Sequence, residues 1–191
     1  MELDKVILRA FLTTLAAIGI LIAFTIFGLC ALFPSTSMEL AYNLGMGKSS
    51  IHFAERAYKG TDEVYFIAYA TEVAIEEEES SKIVSCGERF IQDENFAEYC
   101  ELKGDTYAQF IYGKVCVSKY ESGDKNGAVA LAYDSLQGSF PEGNALVAVL
   151  LSSLQAKDVE TVELIETQLK LISVEGDDAV YLQNILVMLE G

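Results

Sequence analysis

Two patterns of apolar and polar positions divide this chain. From Ala10 to Phe33 there are 24 residues without a charge, mostly Leu, Ile, Phe and Ala. After that, apolar residues recur at i, i+3, i+4 and i+7 between charged ones, the period of an amphipathic helix. The first stretch predicts a helix of roughly 36 Å at 1.5 Å per residue, enough for a hydrocarbon core. Thr13, Thr14 and Thr25 are compatible with it, because a hydroxyl can bond the backbone of its own turn. Pro34, followed by Ser35-Thr36-Ser37, predicts its end. Lys5 and Arg9 precede the stretch and no base follows until Lys48, which by the positive-inside rule places the N-terminus in the cytoplasm. The expected organisation is a short cytoplasmic N-terminus over 1–9, a transmembrane helix over 10–33 and an extracytoplasmic domain over 34–191, held single-pass in the plasma membrane. A cleaved signal peptide followed by a secreted domain is the alternative layout.

The second pattern predicts about eight or nine helices joined by short turns, which make neighbours antiparallel. The clearest runs from Asp158, a natural N-cap, to Ser173, with Val162, Ile165, Leu169 and Ile172 along one face. Others are expected over Ser37–Met46 and from Ser49 or Ser50 to Tyr58. Thr61 or Asp62 should cap the next, and Ser80 or Ser81 should open one reaching Cys100 and Leu102. Further helices are expected from Asp105 to Tyr120, from Gly123-Asp124 to Leu136, over Ala145–Ala156 and from Asp177-Asp178 to Leu189. Ser139-Phe140-Pro141-Glu142 reads as a capping box opening the helix over 145–156, which is expected to be the most buried.

Composition sharpens this division. Acids outnumber bases 29 to 13, for a net charge of −16, although 51% of the residues are apolar. The four charges ahead of Ala10 cancel, so the whole −16 belongs to the helical part. Such a surface offers phosphates no basic stripe, which excludes direct nucleic-acid binding. Ten tyrosines, ten phenylalanines and only two prolines leave enough apolar surface for a packed core, so disorder is excluded as well. All ten tyrosines, Tyr42 to Tyr181, fall in the helical part and can serve as amphipathic contact groups or as half-buried packing.

Candidate chemistry is sparse. His52 is the sole histidine and shares a helix face with Glu55 at i, i+3; with Cys86, Cys100 and Cys116 it would make a three-thiolate, one-imidazole zinc set, but no close C-x2-4-C pair is present. The three thiols are expected to be buried and free; if any two pair, Cys86 and Cys116 are better placed than Cys100 and Cys116. Glu76-Glu77-Glu78-Glu79 is the densest charge run. Consecutive helical positions point in different directions, and like charges at a helix C-terminus oppose the macrodipole, so a break before Ser80 is expected. No nucleophile elbow, phosphate loop or dinucleotide fingerprint occurs. No catalytic residue, metal ligand or cofactor is assigned.

Phe53-Ala54-Glu55-Arg56-Ala57-Tyr58, with small Ala54 four positions before Tyr58, resembles the second helix of a tetratricopeptide repeat, and Ala130-Leu131-Ala132-Tyr133 is a looser match. The expected second helices, starting near Ser49, Ser80, Lys125 and Asp158, are 31, 45 and 33 residues apart, beside a repeat of about 34. The sequence departs from the family in lacking tryptophan, a Leu-Gly pair at the usual place in the first helix of each hairpin and the closing proline of each repeat. The resemblance implies an all-α fold of antiparallel αα-hairpins, as a tetratricopeptide-like solenoid or a compact bundle. The expected function is a membrane-anchored protein–protein interaction or scaffolding module, bound to the membrane through Ala10–Phe33 and holding a protein partner. The alternatives are a structural subunit of a larger membrane complex, or a hydrolase with a carboxylate and His52 site between hairpins.

Overall fold

In the computed structural model residues 2–190 are described, with side chains at Arg9, 11–25, Gly28 and 32–189. Among these residues the chain forms helices only: α1 (Glu2–Leu32), α2 (Pro34–Asn43), α3 (Gly47–Thr61), α4 (Val64–Glu76), α5 (Ser80–Ile91), α6 (Phe96–Lys103), α7 (Tyr107–Glu121), α8 (Lys125–Asp134), α9 (Ala145–Gln155), α10 (Val159–Leu169) and α11 (Gly176–Glu190).

Four turns built alike pair eight of these helices. At the ends of α2, α4, α7 and α9 a single residue takes a left-handed φ: Gly45 (70°), Glu78 (54°), Gly123 (99°) and Lys157 (55°). The amide of the following residue then donates back five positions: Met46 to Ala41 (2.8 Å), Glu79 to Ala74 (3.0 Å), Asp124 to Lys119 (3.1 Å) and Asp158 to Ser153 (2.9 Å). This is the Schellman closure, which satisfies the last carbonyls of one helix while reversing the chain into the next. The hairpins are therefore α2/α3, α4/α5, α7/α8 and α9/α10, with turn residues 33, 45 and 34 positions apart. Short α6, inserted between the second and third hairpins, accounts for much of the long interval.

The core forms two clusters that meet at α7. Ile111 and Val115 join Ile51, Ala54, Ile67, Val73, Phe90 and Phe96 in the first, whereas Cys116 and Tyr120 join Ala132, Phe140, Leu146, Val149, Ile165 and Leu169 in the second. Gly87 of α5 makes the first contact possible, because a Cβ there would overlap Cγ2 of Val115. Ala54 and Ala57 of the tetratricopeptide-like segment are buried in the first cluster.

Several expectations are corrected. No helix among the described residues is long and apolar enough to cross a membrane. The uncharged run expected to span lies almost wholly in α1, which ends at Leu32. This overturns the transmembrane helix over 10–33, the membrane contact through Ala10–Phe33 and the single-pass plasma-membrane location. Within that run Thr13 and Thr25 do bond their own backbone, at Arg9 O (3.0 Å) and Leu21 O (2.9 Å). Cys30 lies outside the described side chains. The helix expected from Ser80 to Leu102 is two helices, because the chain breaks at Gln92–Asn95, where the Asp93 carboxylate accepts from the Asn95 amide (2.9 Å). Asp62 takes a left-handed φ that closes α3 instead of capping α4. Ser139 does not cap α9: its hydroxyl donates to Leu136 O (2.9 Å), and buried Asn144 caps, accepting from the Val147 amide (3.1 Å). Asp158 caps α10 and Ser80 opens α5, as the sequence predicts.

Gly87→Ala is expected to lower unfolding free energy by about 1 to 3 kcal/mol through overpacking against Val115. Gly113→Ala in α7, where a Cβ meets nothing within 4 Å, should instead be neutral or stabilise by up to about 1 kcal/mol. Urea denaturation of the two variants beside the parent checks the contrast; equal effects would discount the close α5 to α7 approach.

Candidate functional site: an aromatic face with carboxylates

Along α2, α4, α6 and α7, rings fall into two runs of neighbours, Tyr42–Tyr69–Tyr65 and Tyr99–Tyr107–Phe110. Tyr42 meets Tyr69 edge-on (centroids 6.1 Å), Tyr69 meets Tyr65 (6.2 Å, planes at 43°), Tyr99 meets Tyr107 (6.3 Å, planes at 50°), and Tyr107 meets Phe110 (6.5 Å). Tyr65 and Tyr69 stand one turn apart on α4, so they share a face. Tyr42, Tyr65 and Phe110 remain 42%, 44% and 47% exposed, an unusual amount of aromatic edge left to solvent in a chain with a filled core.

Carboxylates tie these runs together across hairpins. Tyr42 donates to Glu76 Oε2 (2.8 Å) and Tyr107 to Glu72 Oε1 (2.5 Å), over separations of 34 and 35 residues. Lys103 Nζ bonds the same Glu72 oxygen at 3.1 Å and lies 5.5 Å and 5.7 Å from the Tyr99 and Tyr107 centroids. The Tyr69 hydroxyl shares a hydrogen bond with Ser50 (3.1 Å), whose own hydroxyl reaches Met38 O (2.9 Å). The Tyr42 pKa is raised by its bond to Glu76, and the Tyr107 pKa by burial and then Glu72. These phenols therefore stay protonated at neutral pH and act as donors.

The other side of the hairpins joins its layers with bases. Glu55 takes Lys82 (2.7 Å) and Arg89 (4.0 Å), Arg89 stacks 5.0 Å from the Tyr58 centroid, and Tyr58 donates to Asp93 (2.7 Å). Lys119 bridges Glu88 (2.5 Å) and Asp124 (2.8 Å), while Asp158 receives Lys125 (2.7 Å) and the Tyr120 hydroxyl (3.0 Å). That company holds the Asp158 carboxyl well below the usual carboxylate range, Lys125 contributing most.

The residues singled out from sequence are scattered. His52 is exposed with its ring 6.0 Å from that of Phe53, while Glu55 of the same helix turns to Lys82 and Arg89. Cys86, Cys100 and Cys116 are buried, free and in separate helices. Among the described residues no group of three or more His, Cys, Asp or Glu is placed to hold a metal ion. The acidic run lies where a break was expected: α4 ends at Glu76, Glu78 forms the turn and Glu79, which pairs with Lys48, precedes α5. A shallow groove of 250 Å³ beside α6, lined in part by Phe96, Cys100 and Tyr112, also holds Gln109, whose Oε1 is buried without a partner. Sequence reasoning noted the tyrosines as a set but not the face they form, since its partners lie 34 or 35 residues apart.

Burial pushes the Cys86 and Cys100 thiols up to about 11 and that of Cys116 up to about 12. The folded chain thus holds these protons more tightly than the unfolded one. Their contribution to stability is complete below the unfolded thiol value of about 8.5 and is lost as pH rises through 11 to 12. Urea midpoints should fall between pH 8 and pH 10.5, and less steeply in Cys86→Ala/Cys116→Ala; an equal slope would count against the thiols. In a Cys30→Ser background, a thiol reagent at pH 8 should label the native chain slowly and three positions after unfolding.

A scan against protein-family models, a search of curated proteins and a search of solved structures each returned no match.

Proposed function

We propose that this chain is a protein-interaction module, a stack of αα-hairpins of the tetratricopeptide kind that holds a partner segment on its aromatic face. The observation that carries this reading is the two runs of partly exposed rings, Tyr42–Tyr69–Tyr65 and Tyr99–Tyr107–Phe110, in which Tyr42, Tyr69 and Tyr107 are held by hydrogen bonds to Glu76, Ser50 and Glu72. Tyrosine suits such a surface because a rigid ring gives large contact area at little entropic cost and the hydroxyl remains wet. Stacked hairpins align their first helices on one side, which provides an extended surface for a chain to lie along. The evenly spaced turns at Gly45, Glu78, Gly123 and Lys157 support the repeat character.

Selection of a randomised displayed peptide library on the full 191-residue chain tests the reading. Recovered binders should lose affinity about ten-fold or more to Tyr65→Ala/Phe110→Ala, as expected when two contact aromatics are truncated. Val159→Ala, on the exposed surface of α10, should leave them within about two-fold. Binders indifferent to the double substitution would overturn it.

A further inference from the structure

The aromatic face contains one filled cation site and, beside other carboxylates, a second tyrosine pair of similar ring spacing with no cation–ring contact among the described residues. In the filled one, two tyrosine rings 6.3 Å apart and inclined at 50° receive the Lys103 ammonium, while Glu72 accepts both from that ammonium and from the Tyr107 hydroxyl. The Tyr65–Tyr69 pair has a similar ring spacing and tilt, at 6.2 Å and 43°. Here Glu76 accepts from the Tyr42 hydroxyl as Glu72 does from Tyr107, and Glu39 stands one turn before Tyr42 on α2. Both carboxylates act electrostatically on Tyr69. Among the described residues no lysine or arginine lies over Tyr42, Tyr65 or Tyr69. Lys48, at this end of the molecule, is engaged by Glu79.

Two rings and a carboxylate attract a cation for separate reasons. The ring faces carry the negative lobes of a quadrupole, and the carboxylate adds a full charge whose orientation a tyrosine hydroxyl fixes. Resting on the reading of this face as a partner surface, we infer that the Tyr65–Tyr69 pair, flanked by Tyr42, Glu39 and Glu76, receives an arginine or lysine side chain from a basic segment of the partner protein. Arginine fits best, since its plane stacks on a ring while its fork bonds a carboxylate. Charge complementarity favours the same occupant: the chain carries −16, so a basic segment is drawn to it and an acidic one repelled.

The test uses the full chain and capped heptapeptides alternating glycine with arginine, lysine or glutamate, titrated by calorimetry and by NMR of the tyrosine rings in 0.15 M salt, where diffuse attraction is screened beyond about 8 Å. The arginine peptide should bind, the lysine peptide more weakly and the glutamate peptide not at all, with Tyr65 and Tyr69 resonances moving on arginine binding. Tyr65→Ala should weaken arginine-peptide binding about two- to five-fold, the range of an exposed cation–π contact, and Tyr65→Phe should restore it. Glu76→Gln should weaken it similarly, and Glu163→Gln on α10 by less than about 1.5-fold. Equal losses at Glu76 and Glu163, or Tyr65 and Tyr69 resonances that stay fixed, would sink the inference. Library binders that need Tyr65 and Phe110 but contain no base would refute it while leaving the interaction reading intact. Binders and peptides that both ignore the face would refute both.

Discussion

Helix α7 is buried on two sides, and the arrangement of the other helices follows from that. Val115 and Cys116 are consecutive, so they point about 100° apart, and they belong to different cores. A helix with apolar residues on both flanks must find cover on both. Helix α5 supplies one cover, at a distance only glycine permits at position 87, and α8 and α9 supply the other. Once α7 is fixed, its N-terminal end delivers Tyr107 and Phe110 to the aromatic face. Its C-terminal end delivers Lys119 and Tyr120 to Glu88 and Asp158 on neighbouring hairpins.

With more than twice as many acids as bases, this chain cannot pair every carboxylate with a cation. Bases are concentrated where hairpins pack through α3, α5, α8 and α10, at Glu55, Glu88 and Asp158. On the other side neutral phenols take over as donors, at Glu76 alone and at Glu72 together with Lys103. A phenol satisfies a carboxylate's lone pairs without cancelling its charge. The aromatic face therefore keeps negative potential beside exposed rings, a combination that charge-pairing would have erased.

The turns show how far the sequence could be followed. Gly45 and Gly123 announce left-handed positions, because only glycine adopts them without a steric cost. Glu78 and Lys157 occupy equivalent positions with side chains that ordinarily avoid them, and there the signal was indirect: four successive acids ill-suited to a helix end, and an N-cap aspartate just after Lys157. The Ser139 cap was misread because Asn144, five residues on, competes for the role and is the one fully buried. The break between α5 and α6 has no glycine or proline to mark it, only an aspartate turn at Asp93. The uncharged stretch from Ala10 was given a membrane on its length and composition, and that reading did not survive.

By itself the sequence determined the all-helical class, most helix starts, the burial of the three thiols of the helical part and the placement of charge after residue 33. All of these follow from local periodicity, capping chemistry and composition, which neighbours within a few residues decide. Only the tertiary structure decided which tyrosines share a face, which carboxylate each one bonds and which base each acid keeps. The carboxylate partners that cross from one hairpin to the next lie 27 to 38 residues apart, and their register is set by how the hairpins pack on one another. No local pattern encodes that distance.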